Sequence, residues 1–348
     1  MNQNHDVASG DSSPSMALLE IISVFRVSRA VYVAAKLGIA DLLKDSPKSA
    51  DELALSTGTH APSLYRLLCA LASFGVFAQN DQGWFSITPI SNALRSDVPD
   101  SLRAFAIVSL GEERYQAWGD LLHSVATGEI AFDHVFGTGV WKYQALHPEQ
   151  AKIFDEAMAN IIAANNAAVL ASYPFSTIDI LVDVGGGNGS FMITLLRANP
   201  AMKGVLFDLP HVAQQAETRI ADAGLAERCK IIGGDMFVAI PEGGTAYVLS
   251  QIQNSFDDDR AIVVLKNCRD AMTRPAKLLL VERVLPDRAE PSPTAQAAFA
   301  TDLHMLVTTG GRQRTESQYR ALLEAGGFRL TKTIRTRSEM SVIEGEPA

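Results

Sequence analysis

Cysteine, positive charge and long apolar runs are all scarce in this chain. Only three of its 348 residues are cysteine, Cys69, Cys229 and Cys268. They lie far apart, form no Cys-x-x-Cys pair and are odd in number, which argues against a disulfide framework and a zinc site. The expected compartment is therefore reducing. Lys and Arg total 30 against 39 Asp and Glu, a net charge of −9, and no local basic patch offsets it. Such a chain has no field to hold a polyanion, so no nucleic-acid partner is expected. No apolar run is long enough to cross a bilayer, and none is expected to meet a membrane. Residues 1–15, MNQNHDVASGDSSPS, lack the basic and apolar parts of a secretory signal and read as a disordered tail. The expected location is the cytoplasm. No two histidines stand at ligand spacing on one face beside a carboxylate, so no metal is expected either.

What is present is globular: 47% of the residues are hydrophobic and 20% charged. From Met16 to Leu43 apolar residues recur at three- and four-residue steps around much of a helix, which predicts burial on two sides, one of them open to a partner chain. Three helical signals follow: Ser49 before ADELALSTG, a start near Ala61-Pro62-Ser63, and LYRLLCALASFGVF. VFAQNDQGWFSIT then alternates about Asn80-Asp81-Gln82-Gly83 as a hairpin does. Three helices and a hairpin make the winged-helix pattern. A DNA-reading helix over Leu64–Phe74 is disfavoured because Arg66 is its one strong phosphate binder, so the segment reads as a dimerisation and lid module. Residues 106–175 read as helical and aromatic-bearing, up to the break at Tyr173-Pro174-Phe175. After it, apolar runs alternate with helices, which implies a mostly parallel sheet covered on both faces. The last two runs, RLTKTIRT and MSVIEG, lie too close together for a helix and predict an antiparallel edge hairpin. The expected division is 16–105, 106–175 and 176–348, with Pro286–Gln296 as a surface loop.

The strand IDILVDV runs through Asp183 into Gly185, Gly187 and Gly189 and opens directly into a helix. Glycines there allow a sharp turn and close approach of a ligand to the helix N-terminus. The dinucleotide fingerprint needs a third glycine where Ser190 stands, so NAD takes second place. Asp208 follows Asp183 by 25 residues at the end of the next strand, where a carboxylate accepts from both ribose hydroxyls. Leu209 follows it directly. The third strand ends in Asp235, Met236 and Phe237, one acceptor for an adenine amino group and two side chains that sandwich a ring. The ordered set predicts an adenosyl ligand.

LVDVGGGNGS, FDLPHV, GGDMF, FDDDRA, VERVLPD, DLHML and GGRQRT stand in the order found in the class I S-adenosylmethionine-dependent small-molecule O-methyltransferases, of the plant caffeate and bacterial hydroxyneurosporene type, which the chain resembles throughout after its tail. The resemblance implies an α/β fold, in which a Rossmann-like methyltransferase domain is joined to an N-terminal helical winged-helix dimerisation domain. It also implies S-adenosyl-L-methionine as cofactor, contacted by Gly185, Asp208, Leu209, Asp235, Met236 and Phe237, and an intertwined homodimer. A small, flat, largely apolar acceptor is expected between the domains.

Departures from the family pattern fall at the expected catalytic positions. Where relatives carry Lys and His, this chain has Ser250 and Asn254; Glu282 is retained, and Gln313 replaces a common Glu. An amide is no general base near neutral pH, though it orients a substrate. Ser250 still has a hydroxyl to offer the cofactor. His304, on a helix that the resemblance sets beside the acceptor, is the remaining candidate base. Without the usual His, O-methylation of an acidic phenol or enol leads the alternatives. These are C- or N-methylation, a cofactor-retaining cyclase, dehydratase or hydroxylase, and a winged-helix regulator.

Overall fold

The structure, a computed structural model, describes residues 13–273 and 275–348. The first twelve residues of the expected tail lie outside the described residues, and Pro14 and Ser15 already belong to a helix. The chain forms two compact units that divide between Gly111 and Glu112.

In the first unit, α1 (Pro14–Leu37) is capped by Ser13, whose side chain accepts from the Met16 amide, and ends at Gly38 with φ 67°. The helices α2 (Ile39–Leu42) and α3 (Ala50–Thr57) follow, the latter opened by a reciprocal capping box between Ser49 and Glu52. The second and third helical signals prove to be one helix, α4 (Ala61–Ser73). Pro62 supplies its first turn, and Leu64, Leu68 and Leu71 bury one continuous stripe. Strands β1 (Phe77–Gln79) and β2 (Phe85–Ile87) pair antiparallel, and the Asn80 side chain accepts from the amides of Gln82 and Trp84 to shape the turn. Two short helices, α5 (Pro89–Asn92) and α6 (Arg103–Ser109), complete the unit. The two-sided burial expected of α1 is not met within one chain. Met16, Leu18, Leu19, Ile21, Ile22, Val24 and Phe25 are each at least 50% exposed, whereas only Ala34 and Ala35 are buried. An apolar face of this extent marks an interaction surface.

The second unit begins with α7 (Glu112–Gly119), α8 (Leu121–Thr127), α9 (Ala131–Phe136), α10 (Val140–Leu146) and α11 (Pro148–Ser172). Its sheet comprises β3 (Ile180–Val184), β4 (Lys203–Asp208), β5 (Cys229–Gly233), β6 (Ala246–Ser250), β7 (Lys277–Leu285), β8 (Arg314–Thr315), β9 (Phe328–Arg335) and β10 (Met340–Pro347). The order is β5-β4-β3-β6-β7-β10-β9, and β8 pairs with the end of β7. All pairs are parallel except those of β10, which runs antiparallel to both β7 and β9 and gives the expected edge hairpin. The period of two divides the strands between two cores. Val182, Val184, Tyr247, Leu249, Leu278 and Leu280 face one, while Leu181, Ala246, Val248, Leu279 and Val281 face the other. The helices α12 (Ser190–Ala198), α13 (Pro210–Asp222), α14 (Asp258–Ala271), α15 (Pro293–Thr308) and α16 (Glu316–Ala325) connect the strands. Asp257, first of three consecutive aspartates, caps α14 by accepting from the Arg260 amide at 2.9 Å. The Pro286–Gln296 loop is shorter than expected, because Ser292 caps α15 and Pro293 starts it. The break at Tyr173-Pro174-Phe175 does end α11, but it does not separate compact units. Val169, Tyr173 and Phe175 lie in the same core as Leu181 and Phe191.

Candidate active site

The strand order turns in opposite directions on either side of β3, so β4 and β6 flank a crevice at its carboxyl end. The glycine loop fills this position. Gly185, Gly187 and Gly189 have φ of 76°, 56° and 79°, a region costly for any residue with a side chain. A Cβ on Gly185 would stand 2.5 Å from Ile252 Cδ1 and 3.3 Å from Met236 Cε, whereas one on Gly187 would meet nothing within 4 Å. The loop is therefore packed tightly on one side and open on the other.

Asp208 fastens this loop. Its Oδ2 accepts from the Gly187 amide at 2.8 Å, and its Oδ1 from the Leu209 amide at 2.7 Å. Burial pushes its carboxyl up, and those two amides pull it down. Asp183 is 1% exposed, its Oδ2 has no partner, and burial with the Asp208 charge raises it to about 7. Leu209 is exposed at the start of α13. Asp235 accepts from the Phe237 amide, the Asn267 side chain holds the Met236 carbonyl at 2.8 Å, and Phe237 packs edge-on against Phe256. One orphaned buried carboxylate oxygen, one open glycine face, a ribose-type acid and an acid–thioether–aromatic trio fit an adenosyl sulfonium ligand.

On the other side, Ser250 ends β6 and is followed by Gln251, whose φ of 57° makes it the one non-glycine with positive φ among the described residues. A short 3₁₀ turn, Gln253–Ser255, then carries Asn254. Glu282, fully buried on β7, accepts from the Gln253 amide at 2.8 Å. Burial raises it to about 8, against the pull of the turn's amides and Arg314. Arg314, 1% exposed, donates to the carbonyls of Gln253 (2.7 Å) and Phe256 (2.9 Å) and to Asp258. The turn bearing Asn254 is thus held from below by a carboxyl and from the side by a guanidinium. Gly311 lets two loops meet, since a Cβ there would lie 2.1 Å from the Asn254 carbonyl oxygen. Gln313 is buried, its amide N–H donates to Asp302 on α15 at 2.7 Å, and its side-chain Oε1 is unpartnered.

His304, two residues along α15 from Asp302, accepts at Nδ1 from Trp118 Nε1 at 3.1 Å. That bond leaves the ring proton of the neutral imidazole on Nε2. Burial, and secondarily the charge of Arg114, lowers its pKa to about 4. A neutral imidazole with Nδ1 engaged is placed to donate a hydrogen bond and is a poor proton acceptor.

Each predicted residue thus falls in one of two groups. Asp183, Gly185, Gly187, Gly189, Asp208, Leu209, Asp235, Met236, Phe237 and Ser250 line the strand ends, while Asn254, Glu282, Gln313 and His304 are linked through Arg314, Asp302 and β7. Arg114, Gln251 and Arg314 had been given no role in the sequence. Arg314 had a visible signal as the last basic residue of GGRQRT, but Gln251 and Arg114 had none, since strain and burial arise only in the fold. The structure also corrects the reading that no histidine pair meets a carboxylate. Ligand atoms of Asp120, His123 and His134 lie within 4.8 Å of one another. The two rings stack at 3.8 Å and 7°, with His134 bonded to Asp120 and His123 to Glu129. Parallel rings aim their in-plane lone pairs past each other, so this arrangement does not converge on an ion.

A parallel sheet in this order, with a glycine loop at its switch point and acids ending the next two strands, defines a class I S-adenosylmethionine-binding methyltransferase. The chain belongs to the O-methyltransferase family: the family's O-methyltransferase domain matches residues 118–329 and its dimerisation domain residues 19–97. It is 46% identical to the phenazine O-methyltransferase PhzM of Lysobacter antibioticus, over 96% of each chain. The mitomycin 7-O-methyltransferase MmcR superposes with a TM-score of 0.89 at 33% identity, over 96% of this chain and 98% of that one. The O-methyltransferase NcsB1 from neocarzinostatin biosynthesis, solved with S-adenosylmethionine and 2-hydroxy-5-methyl naphthoic acid, gives 0.81 at 30% identity, over 92% and 96%. The protein is an S-adenosylmethionine-dependent methyltransferase of small molecules. Its dimerisation domain contains the exposed apolar residues from Leu19 to Phe25 and supports a homodimer. Among the described residues no helix is long and apolar enough to cross a membrane.

Proposed function

We propose that the protein methylates a hydroxyl on a flat aromatic acceptor, one acidic enough to react as its anion without a base from the enzyme. The observation that carries this reading is the chemistry of the acceptor side. Asn254 and Gln313 are amides, and His304 is neutral with Nδ1 already bonded to Trp118. None of the three is suited to remove a phenolic proton.

Bound S-adenosylmethionine supplies a methyl group on a positively charged sulfur. Asp208 is proposed to hold the ribose hydroxyls, Asp235 the adenine amino group with Met236 and Phe237 against the ring, and Gly185, Gly187, Gly189 and Leu209 the backbone cradle. Asp183 and Ser250 face the methionine portion. Asn254 orients the acceptor oxygen, and His304 Nε2–H donates to another acceptor atom. Glu282 and Gln313 are positioning residues that fix the Asn254 turn and α15. The acceptor oxygen, its proton lost to water, would take the methyl group that bound S-adenosylmethionine supplies, with S-adenosylhomocysteine as the leaving group. Alignment supplies the rate that a base supplies elsewhere. The same absence of a base suits an amine nucleophile, which makes N-methylation the second reading.

The protein is also proposed to work in the cytoplasm without nucleic acid. The net charge of −9 and the three free thiols support this. The test is incubation with methyl-deuterated S-adenosylmethionine and a panel of naphthols, hydroxyphenazines and aromatic amines under mass detection. Label on a hydroxyl oxygen supports the reading; label only on nitrogen or carbon refutes it.

A further inference from the structure

Arg114 on α7 is a buried charged side chain that feels the charge of its neighbour Glu113 without pairing with it. It is 5% exposed, its Nη1 is buried without a hydrogen-bond partner, and it enters no ion pair among the described residues. Its Cζ lies 5.5 Å from the centre of the Phe132 ring and 6.0 Å from that of Phe154, so its surroundings are aromatic faces. Burial lowers its affinity for its proton, yet a guanidinium remains charged in proteins. A buried unpaired charge is costly, and one that persists suits an anionic ligand.

Position says which anion. One turn beyond Arg114 on the same helix, Trp118 holds His304, and the charge of Arg114 reaches that imidazole. From His304, α15 leads through Asp302 to Gln313 and so to the turn that carries Asn254. The guanidinium therefore lies with the His304, Gln313 and Asn254 group, among rings that suit an aromatic ligand. A planar fork between aromatic faces matches a carboxylate held in the plane of an aromatic ring.

We propose that Arg114 is the acceptor's anion anchor, a specificity-determining residue that receives a carboxylate borne by the aromatic ring to be methylated. The inference rests on the aromatic-acceptor reading above and deepens it, because it names a second functional group on the acceptor. The carboxylate fixes the ring's orientation, and its charge offsets that of the buried guanidinium.

The experiment compares two probes that differ only in that group, 1-hydroxy-2-naphthoic acid and 1-naphthol. Calorimetric titration with each, in the presence of S-adenosylhomocysteine, is made on the full-length wild type, Arg114→Met and Arg114→Lys. A charge-assisted pair predicts that wild type prefers the acid by roughly 10- to 100-fold. That preference collapses toward unity in Arg114→Met and is partly kept in Arg114→Lys, where the charge remains without the fork. Equal affinity of wild type for both probes, or a preference that survives in Arg114→Met, overturns the proposal. Methyl transfer is read separately. An Arg114-dependent acid preference without label on any hydroxyl keeps the anchor and refutes the proposed reaction, while label on 1-naphthol without an acid preference does the reverse. Circular dichroism confirms that each variant is folded, and if Arg114→Met is not, the Lys variant against wild type decides alone: an undiminished preference overturns the anchor.

Discussion

Glu282→Gln isolates a buried carboxyl that holds the Asn254 turn. Glu282 is fully buried, accepts from the Gln253 amide at 2.8 Å, and is raised from 4.5 to about 8 chiefly by burial. With the folded value above the unfolded one, the folded state binds the extra proton between them, so stability is full below pH 4.5 and falls as pH rises to about 8. At about 1.4 kcal/mol per pH unit, the loss between pH ~6 and ~8 is roughly 3 kcal/mol. For a unit of this size that is roughly 6–12 °C in the melting temperature. Glutamine keeps the acceptor oxygen and cannot ionise, so the variant loses this part of the slope and melts above wild type at pH ~8. Asp183, raised to about 7, gives a residual slope of the same sign in both proteins. The assay is calorimetry or far-UV melting of both proteins across this range. A wild type whose stability does not fall, or a variant that falls in parallel with it, would refute the assignment of the buried proton to Glu282.

Gly185→Ala puts a methyl 2.5 Å from Ile252 Cδ1 at φ 76°; affinity for S-adenosylhomocysteine should drop by roughly 100-fold or more, from strain and displacement of the loop, as titration will show. Arg314→Met leaves the carbonyls of Gln253 and Phe256 without their donor and should cost roughly 2–5 kcal/mol in denaturant unfolding, with kcat reduced more than cofactor affinity. Trp118→Phe removes the donor to His304 Nδ1; nitrogen NMR should then report mixed tautomers in place of a single Nε2–H form, and unchanged ring shifts would contradict the assignment.

The sheet was legible because β3, β4, β6 and β7 are continuous apolar runs, and because the gap between RLTKTIRT and MSVIEG is too short for a crossover. Asp183, Asp208 and Asp235 were legible because strand ends and glycine spacing are local. So was the face of α1 open to a partner chain, where Leu18, Ile22 and Phe25 are exposed. Two features were not. The compact division at Gly111 follows from long-range packing, of Ala117 and Phe132 with Val307 and of Tyr173 and Phe175 with Leu181, which a local Pro break does not report. The roles of Arg114, Arg314 and His304 arise from contacts across many residues, such as the bond that joins Trp118 to His304. Sequence left the proton of His304 undecided, and the Nδ1 engaged by Trp118 makes the ring a donor at Nε2.

The measurement that bears most directly on alignment without a base is the pH dependence of kcat/KM for a series of hydroxyarenes of graded acidity. If the acceptor ionises by itself, the inflection moves with each acceptor's own pKa, and no step near 6.5 is shared among them. An inflection that stays fixed while the acceptor changes would place the base on the protein and contradict the account.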